Sequence, residues 1–497
     1  MKKLLLVLVL LYHLSVNAQN VGIGTTAPAA ALHIKGSVDT TQFIIQANST
    51  QSNNHPLIVL RSSDGYDLMH IHANISTNVF VGINAGLHEK GFGSNTFIGC
   101  EAGTQNTTGY GNTAVGTISF NSNTTGQENT SIGENAMYAN ITGSNNTSLG
   151  SASLYHNKTG NYNTAAGQYA LMYNEGGSHN TAIGVGALND NLNANYNTSV
   201  GEYSCYNNVA GAYNTAIGVQ ALNKNVNASY NTALGLNAMY SNNGDLGSYN
   251  TGVGFQALFN TTNSQYNTAV GYNAGSGHDN GYNNVFVGAN TDTYNAGYYN
   301  VIAIGQGTVC TNSSQVTMGN GATGSYRAYA NWSNISDGRF KKNIQENVPG
   351  LDFITKLRPV TYNLNATDLD DFLHSNTADA TVANTRAADG KENKITSASF
   401  SDAAKGVYNK ALKEKETEVT TGFVAQEVEA TAKQLGFNFS GIDAPKNSND
   451  VYGLRYAEFV VPLVKAVQEQ QQMIITMQQK IAALEEQNKL LQQLIKK

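Results

Sequence analysis

A repeat of fixed length runs through the middle of this chain. The unit is the motif Asn-Thr-apolar-apolar-Gly followed by a polar, glycine-rich stretch. Every interval between motifs is 17 residues except one of 19, between Asn231 and Asn250, where 244–246 holds a two-residue insertion. The motif asparagines are Asn78, Asn95, Asn112, Asn129, Asn146, Asn163, Asn180, Asn197, Asn214, Asn231, Asn250, Asn267 and Asn284. A short fixed period predicts stacked coils rather than a globular domain.

Each unit holds two apolar segments that are too short for helices. The first is the motif itself, and the second follows the motif glycine by three residues, as in Ala136-Met137 and Ala170-Leu171. Asparagine and glycine recur between the segments, and these residues suit turns. We therefore expect two short strands per unit, joined by turns.

A single 17-residue unit cannot bury a core, so stability must come from stacking. The fourth motif positions would form one inward apolar column, while asparagine and threonine would stack as polar ladders. The expected column is Val115, Ile132, Leu149, Ile183, Val200, Ile217, Leu234, Val253 and Val270. No proline occurs from residue 57 to 348, as a continuous hydrogen-bonded stack requires. Such a column is thin, so we expect several chains to associate.

The first residues have the layout of a secretory signal peptide. Lys2 and Lys3 precede an apolar run, and small residues lead to Ala18. This pattern predicts cleavage between Ala18 and Gln19 and export of the mature chain. No later segment has the roughly 20 apolar residues of a membrane span, so no transmembrane segment is expected.

Composition narrows the possible partners. The net charge is −6, which provides no basic surface for nucleic acid. The three cysteines, Cys100, Cys205 and Cys310, are odd in number and about a hundred residues apart, which fits neither a disulfide framework nor a metal site. We interpret them as small buried residues within the repeat, and we expect neither a metal nor a cofactor.

Charged and aromatic residues return after residue 325, and the period stops. Four blocks then follow in order: Ser336-Asp337-Gly338-Arg339-Phe340-Lys341, Leu357-Arg358-Pro359-Val360-Thr361-Tyr362, Gly422-Phe423-Val424-Ala425-Gln426-Glu427 and Tyr456-Ala457-Glu458-Phe459. They resemble the endosialidase-type intramolecular chaperone domain, which ends phage tail spikes and fibres. The resemblance spans about 334 to 480, with a polar insertion between about 366 and 415.

This resemblance implies a domain that assists homotrimer assembly and then cuts itself off. It places a Ser–Lys dyad on Ser336 and Lys341, with the scissile bond between Ile335 and Ser336. A serine hydroxyl needs a base to remove its proton, and a neutral lysine can serve. Five residues along a helix would separate the two side chains by about 140°, so we expect them to meet across a turn.

The repeat has a resemblance of its own. Asn112-Thr113-Ala114-Val115-Gly116 and its copies look like the head repeats of trimeric autotransporter adhesins, with a longer period than theirs. The segment from Val21 to Ile34 resembles the opening of secreted tail-fibre-like proteins from the Bacteroidetes. Residues 57–60 and 68–71 are predicted to pair as strands around a turn at Asp64-Gly65.

The end of the chain has a heptad pattern that predicts a coiled coil. Apolar residues dominate the a positions, Val460, Val467, Ile474, Ile481, Asn488 and Ile495, and the d positions, Leu463, Gln470, Met477, Leu484 and Leu491. Isoleucine at a with leucine at d, plus Asn488, favours a dimer. The family resemblance and the shaft favour a trimer, and we predict the trimer.

These observations predict a mainly β protein. The expected parts are a signal peptide (1–18), an N-terminal β segment (19–76), a trimeric β-roll or solenoid shaft (77–305), a connector (306–333), an α+β chaperone and autoprotease domain (334–459) and a coiled coil (460–497). We expect a secreted surface fibre or adhesin of a Gram-negative bacterium, with single-turnover self-cleavage and with a cell-surface glycan or another ligand on a host or bacterial surface as partner.

Three alternatives stay open. The C-terminal domain could be a permanent trimerisation clamp that does not cleave. The chain could be a glycan-degrading enzyme, although such enzymes need a carboxylate pair at a defined spacing and the acidic residues of the repeat are scattered. The regular threonines could form an ice- or crystal-binding surface, although a threonine column more often bonds internally.

Overall fold

The computed structural model describes residues 55–72, 77–91, 93–244, 246–329, 332–374 and 402–495. It also describes short pieces at 21–23, 30–35, 383–386 and 392–395 and the single residues 25, 27, 43 and 45. The expected signal peptide and its cleavage position between Ala18 and Gln19 lie outside the described residues.

A short β segment precedes the shaft. Val21–Ile23 pairs in parallel with Leu32–Ile34. Ile58–Arg61 and Asp67–His72 form the predicted antiparallel hairpin, in which Gly65 has a φ of 90°. The second hairpin strand then pairs with Val79–Val81, so the hairpin covers the first edge of the shaft.

The shaft is a β-solenoid, which confirms the fold class. Each coil contributes one three-residue strand that pairs in parallel, and in register, with the strand of the next coil. The strands are Val79–Val81, Thr96–Ile98, Thr113–Val115, Thr130–Ile132, Thr147–Leu149, Thr164–Ala166, Thr181–Ile183, Thr198–Val200, Thr215–Ile217, Thr232–Leu234, Thr251–Val253, Thr268–Val270, Val285–Val287, Ile302–Ile304 and Val316–Met318. A second short pair, Asp292–Thr293 with Val309–Cys310, lies in the last coils. No pairing among the described residues joins the first strand of this ladder to its last, so the ladder does not close into a barrel.

Except in the last coils, where Asp292–Thr293 and Val309–Cys310 pair, the second apolar segment is not a strand, so the prediction of two strands per unit was wrong for most of the shaft. Residues with left-handed backbone alternate through it, such as Asn135 and Met137, with φ of 56° and 47°. Alternation of this kind curves the chain and lets it close a narrow coil in few residues. The segments still bond to the next coil, since Met137 N donates to Ser153 O over 3.0 Å.

The predicted inward column faces outward instead. Side chains alternate between the two faces of a strand, so in a three-residue strand the middle side chain points to one face and the two flanking side chains point to the other. Here the middle residue, such as Ala114, is the buried one. Leu149 is 52% exposed, and its equivalents along the shaft are also accessible. The flanking threonines share this outer face, so they do not form the internal ladder that we expected. The core is made by the middle residues together with the second segment, as in Met137, Leu171 and Leu222.

Two asparagine ladders run through the shaft. In the predicted one, the backbone N–H of each motif asparagine donates to the side-chain oxygen of the motif asparagine one coil earlier, as from Asn163 to Asn146 at 2.9 Å. The second ladder lies in the turns and is formed by side-chain amides alone. Its members are Asn106, Asn123, Asn140, Asn157, Asn174, Asn191, Asn208, Asn225 and Asn242. Buried amides that bond in series keep the coils in register.

Ionisable residues occupy the register of the turn ladder near both of its ends. Glu89 accepts from the amides of Asn95 and Asn106, and burial raises the pKa of its carboxyl. At the other end, His278 takes an asparagine position. Asn284 Nδ2 lies 2.6 Å from His278 Nε2, and burial lowers the pKa of this imidazole to about 4. Because an amide N–H donates to Nε2, the ring must be neutral in the folded shaft.

This geometry predicts an acid-sensitive shaft end. The unfolded imidazole takes up a proton near its ordinary pKa, whereas the folded one does so only near pH 4. The neutral imidazole therefore stabilises the folded shaft fully above the ordinary pKa of histidine. As pH falls towards 4, the free energy of unfolding decreases by on the order of 3 kcal/mol. Thermal unfolding with hydrogen exchange of residues 261–310 should show this loss between pH 7 and pH 4.

His278→Asn restores the residue type of the ladder and should remove the acid sensitivity. His179→Asn is the matched control, because His179 lies on the surface of a middle coil. The partly buried Asp292 acts in the opposite direction, because desolvation of its carboxyl raises its pKa to about 6 and favours the neutral form. It is present in all three proteins, so the difference between wild type and His278→Asn isolates the histidine. If wild type and His278→Asn were equally sensitive to acid, the assignment of this sensitivity to His278 would be refuted.

The cysteines follow the prediction only in part. Cys205 and Cys310 are buried, and burial raises the pKa of the Cys205 thiol to about 12. Cys205 takes the place of the leucines and methionines in the core of neighbouring coils, where a small apolar side chain fits. Cys100 is exposed, so the prediction of a buried residue was wrong there.

The C-terminal region combines short strands and helices. Its helices are Leu351–Ile354, Ala366–His374, Asp402–Glu416, Ala425–Gln434 and Val460–Ile495, with 3-10 turns at Gly338–Phe340 and Tyr456–Phe459. Its strand pairs, all antiparallel, are Val360–Tyr362 with Thr420–Gly422, Ala383–Arg386 with Glu392–Ile395, and Ile442–Asp443 with Gly453–Leu454. Phe353, Phe439 and Phe459 form the centre of its core.

The last helix, Val460–Ile495, leaves the domain after its first turns. Pro462 and Ala466 are buried against the domain, and Glu469 accepts the N–H of Leu351 at 2.8 Å. All residues from 470 to 495 are exposed. Neither this helix nor any other in the described part of the chain has the apolar length that crossing a membrane needs.

The C-terminal domain docks on the last coils of the shaft. Asp450 accepts from Thr311 Oγ1 at 2.7 Å, and Asn447 Nδ2 donates to Thr311 O at 2.9 Å. On another side, His374 Nε2 lies 2.8 Å from Gly307 O. These hydrogen bonds attach the C-terminal domain to the last coils at residues outside the final strand Val316–Met318.

Candidate active site

The site lies on the segment that connects the shaft to the C-terminal domain. Its described residues from 332 to 347 are almost all exposed. Several of them are large and apolar: Trp332 is 87% exposed, Ile335 97% and Phe340 77%. Within one chain, this segment is therefore held by its own local hydrogen bonds rather than by a core.

A 3-10 turn sets the local geometry. Asp337 precedes Gly338–Phe340 and accepts the backbone N–H of Arg339 at 2.9 Å, which caps the turn. The Arg339 guanidinium forms an ion pair with the same carboxylate at 2.6 Å and holds the pKa of Asp337 below its usual range. The turn closes with Lys341 N donating to Gly338 O at 3.2 Å. Asp337 and Arg339 thus fix the shape of the turn.

The turn brings Ser336 and Lys341 together. Lys341 Nζ lies 2.7 Å from Ser336 Oγ, which is hydrogen-bonding distance. The two residues stand on either side of the turn, as expected for side chains that a helix would separate. A hydroxyl bonded to an amine is the minimal arrangement of nucleophile and base. The carbonyl of Ile335, the other side of the predicted scissile bond, is covalently adjacent to the serine.

The remaining sequence blocks meet in the domain after this segment. Val360–Tyr362 pairs with Thr420–Gly422, so the second block lies beside the third. Arg358 Nε donates to Glu427 at 3.1 Å. Tyr456, from the fourth block, accepts the N–H of Phe423 at 3.2 Å. Residues far apart in the sequence thus build one compact unit, while Ser336 and Lys341 stay on the exposed connecting segment outside it.

The described residues contain no group of three or more His, Cys, Asp or Glu side chains that could hold a metal ion. Ser336 and Lys341 themselves offer a hydroxyl and an amine beside the peptide bond that follows Ile335. Reasoning from the sequence missed the turn ladder of asparagines and the contacts between shaft and domain. The ladder had a visible signal, an asparagine 11 residues after most motif asparagines. The contacts of Asn447 and Asp450 had none.

Comparison with known families supports the interpretation of this segment. Residues 336–379 match the family described as chaperone of endosialidase. The match begins at Ser336 and includes Lys341. A search of curated proteins found no match to the chain. The solenoid together with this segment makes the chain tail-fibre-like, with an endosialidase-type chaperone region after the shaft.

Proposed function

We propose that this chain is a secreted trimeric fibre whose C-terminal region drives assembly and then cuts the bond between Ile335 and Ser336. The observation that carries the proposal is the 2.7 Å contact between Lys341 Nζ and Ser336 Oγ inside the matched segment. The fibre is the product, and cleavage is a single maturation event of each chain.

The steps of the reaction follow from the order of the covalent bonds around Ser336. Ser336 Oγ attacks the carbonyl carbon of Ile335, and the neutral amine of Lys341 takes the hydroxyl proton. Lys341 then delivers that proton to the amide nitrogen of Ser336 as the C–N bond breaks, which leaves an ester between Ile335 and Ser336 Oγ. Water hydrolyses the ester, releases the Ile335 carboxylate and restores the serine hydroxyl.

Exposed apolar surface supports assembly into a trimer. The outer face of the shaft carries a stripe of apolar side chains, one per coil, which includes Ile132, Leu149 and Ile183. The heptad positions of the last helix, such as Leu463 and Ile481, are also exposed. Contiguous apolar surface of this length marks an interaction site. Parallel association of copies of the same chain would cover both surfaces.

The contacts between shaft and domain support retention of the C-terminal fragment after cleavage. The cut lies in the exposed segment, whereas Asp450, Asn447 and His374 bind coils on the other side of it. These hydrogen bonds do not depend on the Ile335–Ser336 bond. The cleaved C-terminal fragment is therefore expected to remain on the shaft until those contacts are broken.

The oligomeric state tests the assembly half of the proposal. Sedimentation analysis of the mature Ser336→Ala chain, which keeps shaft and helix covalently joined, is expected to give three copies. Ile481→Asp in that background places a carboxylate on the heptad face and should weaken the trimer by at least about tenfold.

Gln479→Asp is the matched control, because it adds the same charge to the same helix outside the predicted a and d positions. It should leave the trimer intact. A single copy of the Ser336→Ala chain, or equal dissociation of the two helix variants, would contradict the trimer.

A glycan-degrading enzyme is less well supported. Glycosidases use two carboxylates that flank the bond. The shaft has a cleft beside its two-residue insertion. Its described lining residues, Leu246, Asn263, Gln265, Tyr266, Asn280, Tyr282 and Asn283, carry no carboxylate. The cleft is suited to binding a ligand rather than to hydrolysing one.

A further inference from the structure

An aromatic ladder runs along the surface of the shaft. Seven rings stack face to face, with centroids 4.8–5.0 Å apart, in the residue that precedes each motif asparagine. They are Tyr162, His179, Tyr196, Tyr213, Tyr230, Tyr249 and Tyr266. A stacked ring has both faces covered by its neighbours. Only ring edges and hydroxyl groups of the middle members are available to a ligand.

The backbone at this register disfavours tyrosine. All seven residues have φ between 57° and 62°, in the left-handed region that asparagine tolerates better than a bulky side chain. The same register holds Asn145 before the ladder and Asn283 after it, with φ of 60° and 59°. Tyrosine is thus used where asparagine suits the fold better. Ring stacking offsets the unfavourable backbone conformation in the middle of the ladder, but Tyr266 has a stacking partner on one side only.

The ladder ends at a cleft. Tyr266 stacks on Tyr249, but Tyr282 in the next coil is displaced by one residue and stacks on Tyr299 instead. Among the described residues no ring covers the second face of Tyr266. The gap between Tyr266 and Tyr282 opens into a cleft of about 640 Å³, a volume typical of small-ligand sites. Leu246, from the single insertion in the repeat, forms its wall.

The lining has a distinctive chemistry. Besides two tyrosines and a leucine it holds four side-chain amides, Asn263, Gln265, Asn280 and Asn283. Asn263 and Asn280 face each other at 3.4 Å. The side-chain amides of Gln265 and Asn283 make no hydrogen bond within the described part of the chain, so they are available to a ligand. No described lining residue is charged, which disfavours nucleic acid and anionic ligands.

We infer that this cleft binds a neutral oligosaccharide. Planar amides donate to and accept from sugar hydroxyls, and the C–H face of a pyranose packs on the electron-rich face of an aromatic ring. The cleft offers both, with Tyr266 as the uncovered ring. The stacked tyrosine hydroxyls continue as a polar surface along the shaft, but the binding contacts are those of the cleft. This site is on the shaft and is independent of the cleavage reaction.

The test uses the mature full-length protein and three probes: cellotetraose, maltotetraose and chitotetraose. Saturation-transfer NMR is expected to detect at least one of them on wild type. Tyr266→Asn, which installs the residue that the register prefers, should lower its affinity by at least about tenfold. Gln265→Ala should also weaken binding, and Ala212 shows that alanine fits that register.

Tyr213→Asn is the matched control, since it removes a ring from the same ladder away from the cleft. It should bind as wild type does, and self-cleavage should be unchanged in all three variants. Absence of signal for every probe on folded wild type would overturn the inference. An equal loss of affinity in Tyr213→Asn and Tyr266→Asn would also overturn it, because binding would then not depend on the cleft in particular.

Discussion

Ser336→Ala is expected to leave the purified protein as one uncut chain, whereas wild type separates into two fragments on a denaturing gel. The variant removes the hydroxyl oxygen that lies 2.7 Å from Lys341 Nζ, on the residue that directly follows the Ile335 carbonyl. Without a nucleophile, acyl transfer cannot begin, so the loss should be complete rather than partial. Intact mass should place the wild-type cut between Ile335 and Ser336.

Lys341→Ala should abolish cleavage as fully, because the hydroxyl then has no base. Lys341→Arg keeps the positive charge and much of the length, but guanidinium does not give up a proton in proteins, so it should also remain uncut. Lys342→Ala is the matched control, since it removes the neighbouring lysine and should cleave as wild type does. Cleavage that persists in Lys341→Ala and Lys341→Arg would show that another group is the base.

Gly167→Val is expected to disrupt the shaft. Gly167 follows the strand Thr164–Ala166 with φ of 137°, a conformation that side chains rarely adopt. A Cβ there would lie 2.5 Å from the carbonyl oxygen of Gly184 in the next coil, a backbone atom that belongs to the ladder. Strain and overlap together should cost at least about 3 kcal/mol, which opens the coils around residue 167.

Hydrogen exchange of residues 147–200 measures this effect locally, and circular dichroism gives the overall loss. Gly324→Val is the matched control, because a Cβ there has nothing within 4 Å. It should leave the shaft unchanged. Protection of the coils in Gly167→Val equal to that of wild type would contradict the assigned coil geometry.

The repeat made the fold predictable, but not which face is inside. Period, turn residues and the absence of proline all indicated stacked coils, and the motif asparagines bond as expected. Our prediction assigned the outward apolar residue of each strand to the core. A strand of three residues has one inward position, and the sequence has apolar residues at two positions of most strands. The large second-segment residues, such as Leu171, fill the coil, so the strand position opposite them must be small, as in Ala165.

The local pair of the candidate site was predictable, and its surroundings were not. Ser336 and Lys341 lie within one turn, so their meeting depends on a few dihedral angles that Asp337 and Gly338 set. The docking of Asn447 and Asp450 on Thr311 joins residues more than a hundred positions apart. No periodicity or motif encodes such a contact. The cleft at Tyr266 likewise depends on how a two-residue insertion shifts one coil against the next.

Native mass spectrometry of the wild-type mature protein tests the central proposal most directly, because it reports assembly and cleavage in one experiment. We predict a complex of three copies in which each chain is cut between Ile335 and Ser336 and both fragments are retained. A single uncut chain, under conditions where the shaft is folded, would contradict the proposal of a self-processed trimeric fibre.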